Sequence, residues 1–266
     1  QECIPGGPGT NLRTAATEVC EAVAKSINEK DWTSVYFSEF QLDSTLKIIE
    51  SRYSEDSEYK AQILTAGVGS GKTIGFSIAS LIEARKTMLD GMKNNGYKKT
   101  CMFVYPRTQL AYDQFQEIEK FSSFMPVKMD IWLEMSKSYS ENGLTVARGV
   151  PEKYGKDVSP FGIVVTTFET LKRRMRRPEF IKKMSKHLST IVVDEVHLLS
   201  GISGGMSAKL LSRLAQAVYD NNKQIHWIGA SATIARPDQH IARLFGLERT
   251  DVQVIGPRDS EMIQAG

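Results

Sequence analysis

The chain is poor in cysteine and histidine, and neither residue type forms a recognisable site. Its three cysteines, Cys3, Cys20 and Cys101, are odd in number and lack a CxxC spacing. This favours reduced thiols over a disulfide framework. The four histidines are scattered and give no zinc-ligand pattern. The sequence therefore argues against a disulfide-rich secreted fold and against a zinc-centred domain.

Long hydrophobic runs and a strong net charge are also lacking. No apolar run approaches the roughly 20 residues of a membrane helix, and the start QECIPGGPGTNLR has no signal pattern. We therefore expect a cytoplasmic protein without a membrane partner. The net charge of +3 does not by itself call for an acidic partner. Because the chain begins with Gln rather than Met, we expect it to be an excised or processed piece of a longer protein.

The composition is that of a globular protein, with 41% hydrophobic and 24% charged residues in a chain of 266. Continuously apolar segments alternate with segments of helical period, which predicts an α/β fold whose mostly parallel sheet has helices on both faces. A polar stretch at 136–160 predicts a long surface loop. The predicted strands are 60–64, 100–105, 127–133, 161–166, 190–193, 224–229 and 252–255, and the main predicted helices are 14–28, 73–92, 108–121, 206–219 and 239–245.

Two helical faces can be predicted near the start of the chain. The first helix, with Thr14 as a possible cap, would turn Ala16, Val19, Val23 and Ile27 to the core. The segment after Gln41 would present Leu42, Leu46 and Ile49 on one helical face.

The stretch TAGVGSGKT at 65–73 lies between a short apolar strand and a helix. This is the context of a phosphate-binding loop, with Ala66 where the first glycine usually stands. Glycines let backbone N–H groups turn inward around a polyphosphate, and the helix adds its positive N-terminal dipole. A glycine-rich turn with a purely steric role is the alternative. The predicted nucleotide-binding residues are Ala66, Gly67, Gly69, Ser70, Gly71, Lys72 and Thr73, with Lys72 on the β and γ phosphates of ATP and Thr73 on Mg2+.

A second polar stretch, DEVH at 194–197, ends the apolar segment 190–193. Two adjacent carboxylates at the end of a buried strand are costly unless a positive group lies nearby. A magnesium nucleotide supplies that charge, so we expect Asp194 to hold Mg2+ across from Thr73 and Glu195 to accept a proton from the attacking water. An ordinary acidic loop is the alternative.

Together, GKT at 71–73, DEVH at 194–197 and Ser231-Ala232-Thr233 resemble motifs I, II and III of superfamily 2 helicases. The segment PRTQLA at 106–111 resembles motif Ia, although Arg107 and Thr108 are exchanged relative to the usual order, and TTFETL at 166–171 resembles motif Ib. The resemblance spans about residues 36–257. The run after the DEVH box looks most like bacterial proteins of DNA repair or phage defence.

The resemblance implies a RecA-like P-loop NTPase domain, the first of two motor domains in an ATP-dependent helicase or translocase. It further implies that Gln41 reads the adenine edge, and that His197, Ser231 and Thr233 couple the γ phosphate to nucleic acid. A solvated Gln41 and a His197 with only a structural role are the alternatives.

The nucleic acid, with DNA favoured over RNA, is expected at loops that follow strand ends. The predicted contacts are Arg107, Thr108, Thr166, Thr167, Arg173 and Arg174. A basic run follows motif Ib and would either bind the backbone or form a solvated helix face. Its members are Lys172, Arg173, Arg174, Arg176, Arg177, Lys182, Lys183 and Lys186.

Three regions are expected: a lead-in at 1–57, the ATPase domain at 58–258, and the start of a linker at 259–266. No Gln-x-x-Gly-Arg-x-Gly-Arg stretch is present, so the second domain's arginine fingers are missing from this sequence. We therefore expect weak ATP hydrolysis by the chain alone. Another kind of phosphate-loop ATPase and a nucleotide-sensing scaffold with a protein partner are the remaining alternatives.

Overall fold

The computed structural model of the chain describes residues 10–54, 57–67, 69–94, 99–134, 140–141, 144–145, 162–221, 223–232 and 234–257. Short 3-10 turns occur at Trp32–Ser34, Val196–Leu198 and Arg249–Asp251. The strands are β1 (Ala61–Thr65), β2 (Thr100–Tyr105), β3 (Ile131–Glu134), β4 (Ser140–Glu141), β5 (Leu144–Thr145), β6 (Ile163–Thr167), β7 (Leu188–Val193), β8 (His226–Ser231) and β9 (Val252–Ile255). The helices are α1 (Asn11–Ile27), α2 (Glu39–Tyr53), α3 (Lys72–Asn94), α4 (Thr108–Ser123), α5 (Phe168–Arg174), α6 (Pro178–His187), α7 (Gly201–Tyr219) and α8 (Pro237–Phe245).

Seven strands form the main sheet in the order β3-β6-β2-β7-β8-β1-β9, and every neighbouring pair is parallel. The central strands β2, β7 and β8 are buried at every residue. Their continuous apolar runs fit a sheet covered on both faces, where no side chain needs to face water. The predicted parallel sheet is therefore confirmed.

The two faces of the sheet carry separate hydrophobic layers. Alternate residues of β1 supply both of them, since Leu64 belongs to the layer covered by α1 to α4 and Ile63 to the layer covered by α5 to α8. This is the period of two that a strand imposes on its side chains. Helices α1 and α2 pack against α3 in the first layer, so the described part of the predicted lead-in shares the core of the sheet.

Two predicted faces near the start of the chain were wrong at individual residues. Helix α1 starts at Asn11 with Thr10 as its cap, and its last residue, Ile27, is 55% exposed. In α2, Leu42 is 46% exposed, while the small residues Ser44 and Thr45 are buried. Ser44 and Thr45 are buried because α2 approaches α3 closely at these two residues. A Cβ added to Gly75 would lie 3.1 Å from that of Ser44, and the Thr45 hydroxyl donates to the Gly75 carbonyl at 3.1 Å.

The predicted bounds of one helix and one strand also differ from those of the structure. Helix α7 begins at Gly201 rather than Met206, and the strand predicted at 127–133 is shorter because Val127 is 37% exposed. In the predicted loop 136–160, β4 and β5 form a two-stranded antiparallel pair, and the rest of the loop lies outside the described residues.

Two compositional predictions can also be examined in the described part of the chain. Cys20 is half-buried and Cys101 buried, and neither is in a disulfide, while Cys3 lies outside the described residues. None of the described helices combines the length and the apolar character needed to cross a membrane.

Candidate nucleotide and nucleic-acid site

The predicted site residues follow strands that all end at the same edge of the sheet. Because the strands are parallel, their carboxyl ends lie together, and ligands of open α/β sheets bind at that edge. Register pairs Thr65 with Ser231 and Tyr105 with Thr167, while Val193 pairs with Gly229. The loops after β1, β7 and β8 thus meet beside the loops after β2 and β6.

The phosphate loop has the backbone that its glycines permit. Gly69 and Gly71 have φ values of 79° and 81°, in the left-handed region that side chains disfavour. The Ser70 hydroxyl donates to the carbonyl of Gly67 at 2.8 Å and closes the turn. Helix α3 starts directly afterwards at Lys72, so its N-terminal amides adjoin the loop. Val68 lies outside the described residues.

Lys72 lies within this loop and holds it together. Its ammonium donates to the carbonyls of Ala66 and Gly67, each at 2.7 Å. Burial lowers the pKa of Lys72, and the carboxylates of Glu195 and Asp194 oppose that shift. The lysine therefore lies in the field of the DEVH box, and its contact with the β and γ phosphates stays a prediction.

Asp194 is buried at the end of β7, with 6% of its surface exposed. Its carboxylate accepts a hydrogen bond from the amide of Glu195 at 2.8 Å. Burial raises the pKa of Asp194 to about 7, with the charge of Glu195 adding to the rise and that of Lys72 opposing it. Glu195 has a φ of 52°, a left-handed conformation that turns the chain sharply into the Val196–Leu198 turn.

These groups suit a magnesium nucleotide. A hydroxyl from Thr73 and a carboxylate from Asp194 are the hard oxygen ligands that Mg2+ prefers, and a divalent cation would offset the buried charge. Within the described residues, no group of three or more His, Cys, Asp or Glu side chains could hold a metal ion. That is consistent with Mg2+ chemistry, in which one or two protein ligands share the ion with phosphate oxygens and water.

The predicted coupling residues His197 and Ser231 are in contact. Nδ1 of His197 lies 3.3 Å from the Ser231 hydroxyl and 3.2 Å from a carboxylate oxygen of Glu195. Ser231 also contacts the phosphate loop, because its carbonyl accepts a hydrogen bond from the amide of Ala66 at 3.3 Å. Thr233 lies outside the described residues. Sequence reasoning missed His240, whose Nε2 lies 2.9 Å from the carbonyl oxygen of Val196.

Gln41 caps α2 and lies next to Gly71 of the phosphate loop. Its side-chain oxygen accepts the amide of Ser38 at 2.9 Å, and its own amide donates to the Ser38 hydroxyl at 3.1 Å. This reciprocal capping box was readable from Ser-x-x-Gln at a helix start. The Gln41 amide nitrogen lies only 2.1 Å from the position that a Cβ on Gly71 would take. Adenine recognition by Gln41 stays a prediction.

Among the predicted nucleic-acid contacts, Arg107 and Thr108 are exposed at the start of α4. No ion pair of the described residues involves Arg107. Since both residues follow β2 at the ligand edge, they are accessible to a phosphate backbone.

Thr166 and Thr167 are buried, and their hydroxyls are engaged within the chain. Thr166 donates to the carbonyl of Glu134 at 3.0 Å. The Thr167 hydroxyl caps α5, accepting the Thr170 amide at 3.3 Å and donating to the Thr170 hydroxyl at 3.0 Å. A contact of either hydroxyl with nucleic acid would require these bonds to be exchanged.

Arg173 and Arg174 differ in their surroundings. Arg174 is ion-paired with Glu134, whose side chain is 3% exposed. Arg173 is 49% exposed and pairs at 2.6 Å with the exposed Glu169. Arg173 is therefore the more accessible of the two predicted contacts. Other members of the basic run are exposed as well, namely Lys172, Arg176, Arg177, Lys182 and Lys186.

Two curated relatives are helicases. The chain is 25% identical over 189 residues to the ATP-dependent helicase hrq1 of Schizosaccharomyces pombe. The aligned region covers 70% of this chain and 16% of that protein. It is 29% identical over 180 residues to the ATP-dependent DNA helicase Hel308 of Methanocaldococcus jannaschii, covering 66% of this chain and 12% of the relative. The chain thus spans less than a fifth of the length of either relative.

Solved structures of helicases share the fold. The DUF1998 helicase MrfA bound to DNA superposes with a TM-score of 0.64 at 16% identity, over 89% of this chain and 29% of that one. The DEAD-box helicase Mss116 bound to ssRNA gives a TM-score of 0.65 at 18% identity, over 96% and 47% of the two chains. The predicted RecA-like fold is therefore confirmed.

The sequence profile of the family described as DEAD/DEAH box helicase matches residues 45–241, about three quarters of the 266 residues. That match includes the phosphate loop, the DEVH box and Ser231, and it leaves Gln41 just outside. On this match, the chain belongs to the DEAD/DEAH box helicase family.

Proposed function

We propose that the chain is the first motor domain of an ATP-dependent nucleic-acid helicase or translocase, and that it binds Mg-ATP and the nucleic-acid backbone. One observation carries the proposal. Lys72, Asp194, Glu195 and the His197–Ser231 contact converge at the edge of the sheet where exposed cations follow the neighbouring strands. A nucleotide and a polymer bound there would share the same set of loops.

The residues divide the nucleotide chemistry among them. Lys72 exchanges its bonds to loop carbonyls for the β and γ phosphates, and the hydroxyl of Thr73 and the carboxylate of Asp194 hold Mg2+. Mg2+ held by these two residues would supply positive charge beside the phosphate oxygens. Glu195 accepts the proton of the water that attacks the γ phosphorus, while the bond to the ADP oxygen breaks.

The chain alone should turn over slowly. Arginine fingers raise phosphoryl-transfer rates by about 10³ to 10⁵ in related enzymes, and this sequence carries no match to the motif that supplies them. We propose that the second RecA-like domain of the parent protein contributes them. Turnover that is unchanged when that domain is added would contradict this part of the proposal.

DNA is the proposed polymer. A relative named as a DNA helicase and a structural neighbour bound to DNA support this choice, while another neighbour is bound to ssRNA. Phosphate-directed contacts alone discriminate weakly between the two polymers, because few of them sense the 2′ hydroxyl.

Binding of single-stranded and duplex DNA and RNA, with and without an unhydrolysable ATP analogue at two salt concentrations, tests the proposal. We expect nucleotide-dependent binding to DNA that weakens steeply with salt. Lys72→Met should weaken nucleotide binding by about 30-fold or more, since it removes a partly buried charge from the phosphates. Nucleotide binding without affinity for any polymer would favour the nucleotide-sensing scaffold instead.

A further inference from the structure

A surface groove of about 570 Å³ lies between α5 and the first half of α7. Its apolar side chains come from Phe168 on α5 and from Ile202, Met206 and Leu210 on α7. Ile202 is 87% exposed and Met206 is 52% exposed. They lie four residues apart, so they share one face of the helix.

Exposed apolar side chains that adjoin one another usually mark an interaction site, whereas single ones need no explanation. Ile202 and Met206 form such a pair. They also lie in the glycine-rich segment that starts α7, where Gly201 and Gly205 have no atom within 4 Å of an added Cβ. The two glycines beside the pair are therefore open to solvent on the side where a Cβ would lie.

The rim of the groove is positive. Lys172, Lys209 and Arg213 line it, and all three are exposed. Its acidic residue, Glu169, is ion-paired with Arg173 at 2.6 Å, which offsets the carboxylate charge. Charge complementarity thus favours a polyanion over a neutral or cationic partner.

The groove is continuous with the proposed nucleic-acid surface. Phe168 directly follows Thr167, and Arg173 lies on the same short helix. The groove therefore begins at the residue next to the cap of α5.

We propose that the groove is a second contact site for single-stranded nucleic acid, in which Ile202 and Met206 pack against an unstacked base. Lys172, Lys209 and Arg213 hold the flanking phosphates. Aliphatic side chains occupy such positions in other proteins, where they separate neighbouring bases. The site reads no sequence, since every base has an apolar face. The inference rests on the proposed function of the chain.

The test compares the intact chain with a double variant, Ile202→Ser with Met206→Ser. Both positions are exposed, so the core is not disturbed. Ile27→Ser is the matched control, because Ile27 is 55% exposed on the opposite face of the sheet. Fluorescence anisotropy measures affinity for a mixed-sequence single strand and for an abasic strand with the same phosphates.

We expect the double variant to bind the mixed-sequence strand about five- to tenfold more weakly, and the abasic strand as the intact chain does. Lys209→Ala with Arg213→Ala should weaken binding of both strands and lower the salt slope by about 0.7 per lost contact. Lys30→Ala, an exposed lysine on the opposite face, should change neither.

The remaining outcomes overturn the inference in distinguishable ways. If the intact chain binds no nucleic acid, the proposed function fails and the inference fails with it. If the chain binds and the double variant is unchanged, the proposed function stands, and the groove serves another partner such as an acidic peptide. Equal losses on both strands would reject contact with the base.

Discussion

The imidazole of His197 lies 3.3 Å from the hydroxyl of Ser231 and 3.2 Å from the carboxylate of Glu195, through the same nitrogen. The Ser231 carbonyl in turn accepts the amide of Ala66. Three loops of the ligand edge are thereby linked through two residues. We predict that a change in hydrogen bonding at the γ phosphate alters the hydrogen bonds at the end of β8, next to the loop that leads to α8.

Ser231→Ala tests this linkage. The variant removes the bond to His197 but keeps the backbone bond to Ala66, so nucleotide affinity should change little. Stimulation of ATP hydrolysis by nucleic acid should fall by about 5- to 150-fold, the usual size of coupling between two sites. Steady-state turnover with and without DNA measures it, with the chain joined to the second RecA-like domain of the parent protein. Ser212→Ala, on the exposed side of α7, is the control, and normal stimulation in the Ser231 variant would contradict the linkage.

Gly71→Ala and Gly67→Ala form a second matched pair. At Gly71 an added Cβ would lie 2.1 Å from the amide nitrogen of Gln41, and the backbone φ is 81°. At Gly67 the added Cβ has no atom within 4 Å. Thermal unfolding without nucleotide should therefore show a loss of about 1–2 kcal/mol or more for Gly71→Ala and little change for Gly67→Ala. Equal stability of the two variants would argue against the contact between Gln41 and the loop.

Much of the fold was predictable because a sheet buried on both faces leaves long apolar runs. The segments that became β2 and β9 were predicted with their correct limits. The sequence prediction began helix α7 at Met206 rather than Gly201, because the glycines of GISGG are typical of a loop. Gly204 is required there, since a Cβ would lie 2.5 Å from the Leu199 carbonyl oxygen. Such a close approach is visible only in three dimensions.

For the site, the glycine spacing and the paired carboxylates indicated Lys72 and Asp194, and the resemblance to helicases indicated His197 and Ser231; the roles of all four stay predictions. The partners of those residues were not predictable. The ion pair between Arg174 and Glu134 joins positions 40 residues apart, and the charge run alone cannot tell a paired arginine from an exposed one. Likewise, two exposed apolar residues on α7 resemble core positions until their neighbours are known.

A buried charge cluster at the other end of the sheet gives a stability prediction. Glu83, 3% exposed, accepts from Arg52 at 3.1 Å and from the Thr190 hydroxyl, with Lys99 at 4.0 Å. Burial alone would raise the pKa of Glu83, but the charges of Arg52 and Lys99 and the Thr190 hydrogen bond outweigh it and lower the pKa to about 2. The carboxylate therefore stays charged in the core.

Glu83→Gln should lower the free energy of unfolding by about 2–4 kcal/mol, because it leaves the half-buried cations Arg52 and Lys99 without their partner. Glu21→Gln is the control, since Glu21 pairs with Lys25 at 3.5 Å on the surface and should contribute less than about 1 kcal/mol. Denaturant unfolding of both variants measures the difference. A loss no larger for Glu83 than for Glu21 would show that the cluster does not stabilise the fold.

His226, in the same region, predicts a pH dependence of stability. It is 5% exposed, and its Nε2 lies 2.5 Å from the side-chain oxygen of Gln62. Burial lowers the pKa of His226 to about 4 from 6.5, and the charge of Arg52 adds to this effect. The unfolded chain therefore binds this proton more readily than the folded chain between those two values.

The part of the free energy of unfolding that comes from the lowered pKa of His226 is present above pH 6.5 and is lost as the pH falls toward 4. The expected loss over this range is on the order of 3 kcal/mol, from a shift of that size in one buried group. Glu83 remains ionised in the folded chain, but in the unfolded chain its pKa is about 4.5, so below about pH 5 it adds to the same slope. His226→Gln should flatten the dependence between about pH 5 and 6.5, where Glu83 contributes little, whatever its effect at neutral pH. Denaturant unfolding at several pH values decides the matter, and an equally steep slope in the His226 variant would assign the dependence to other groups.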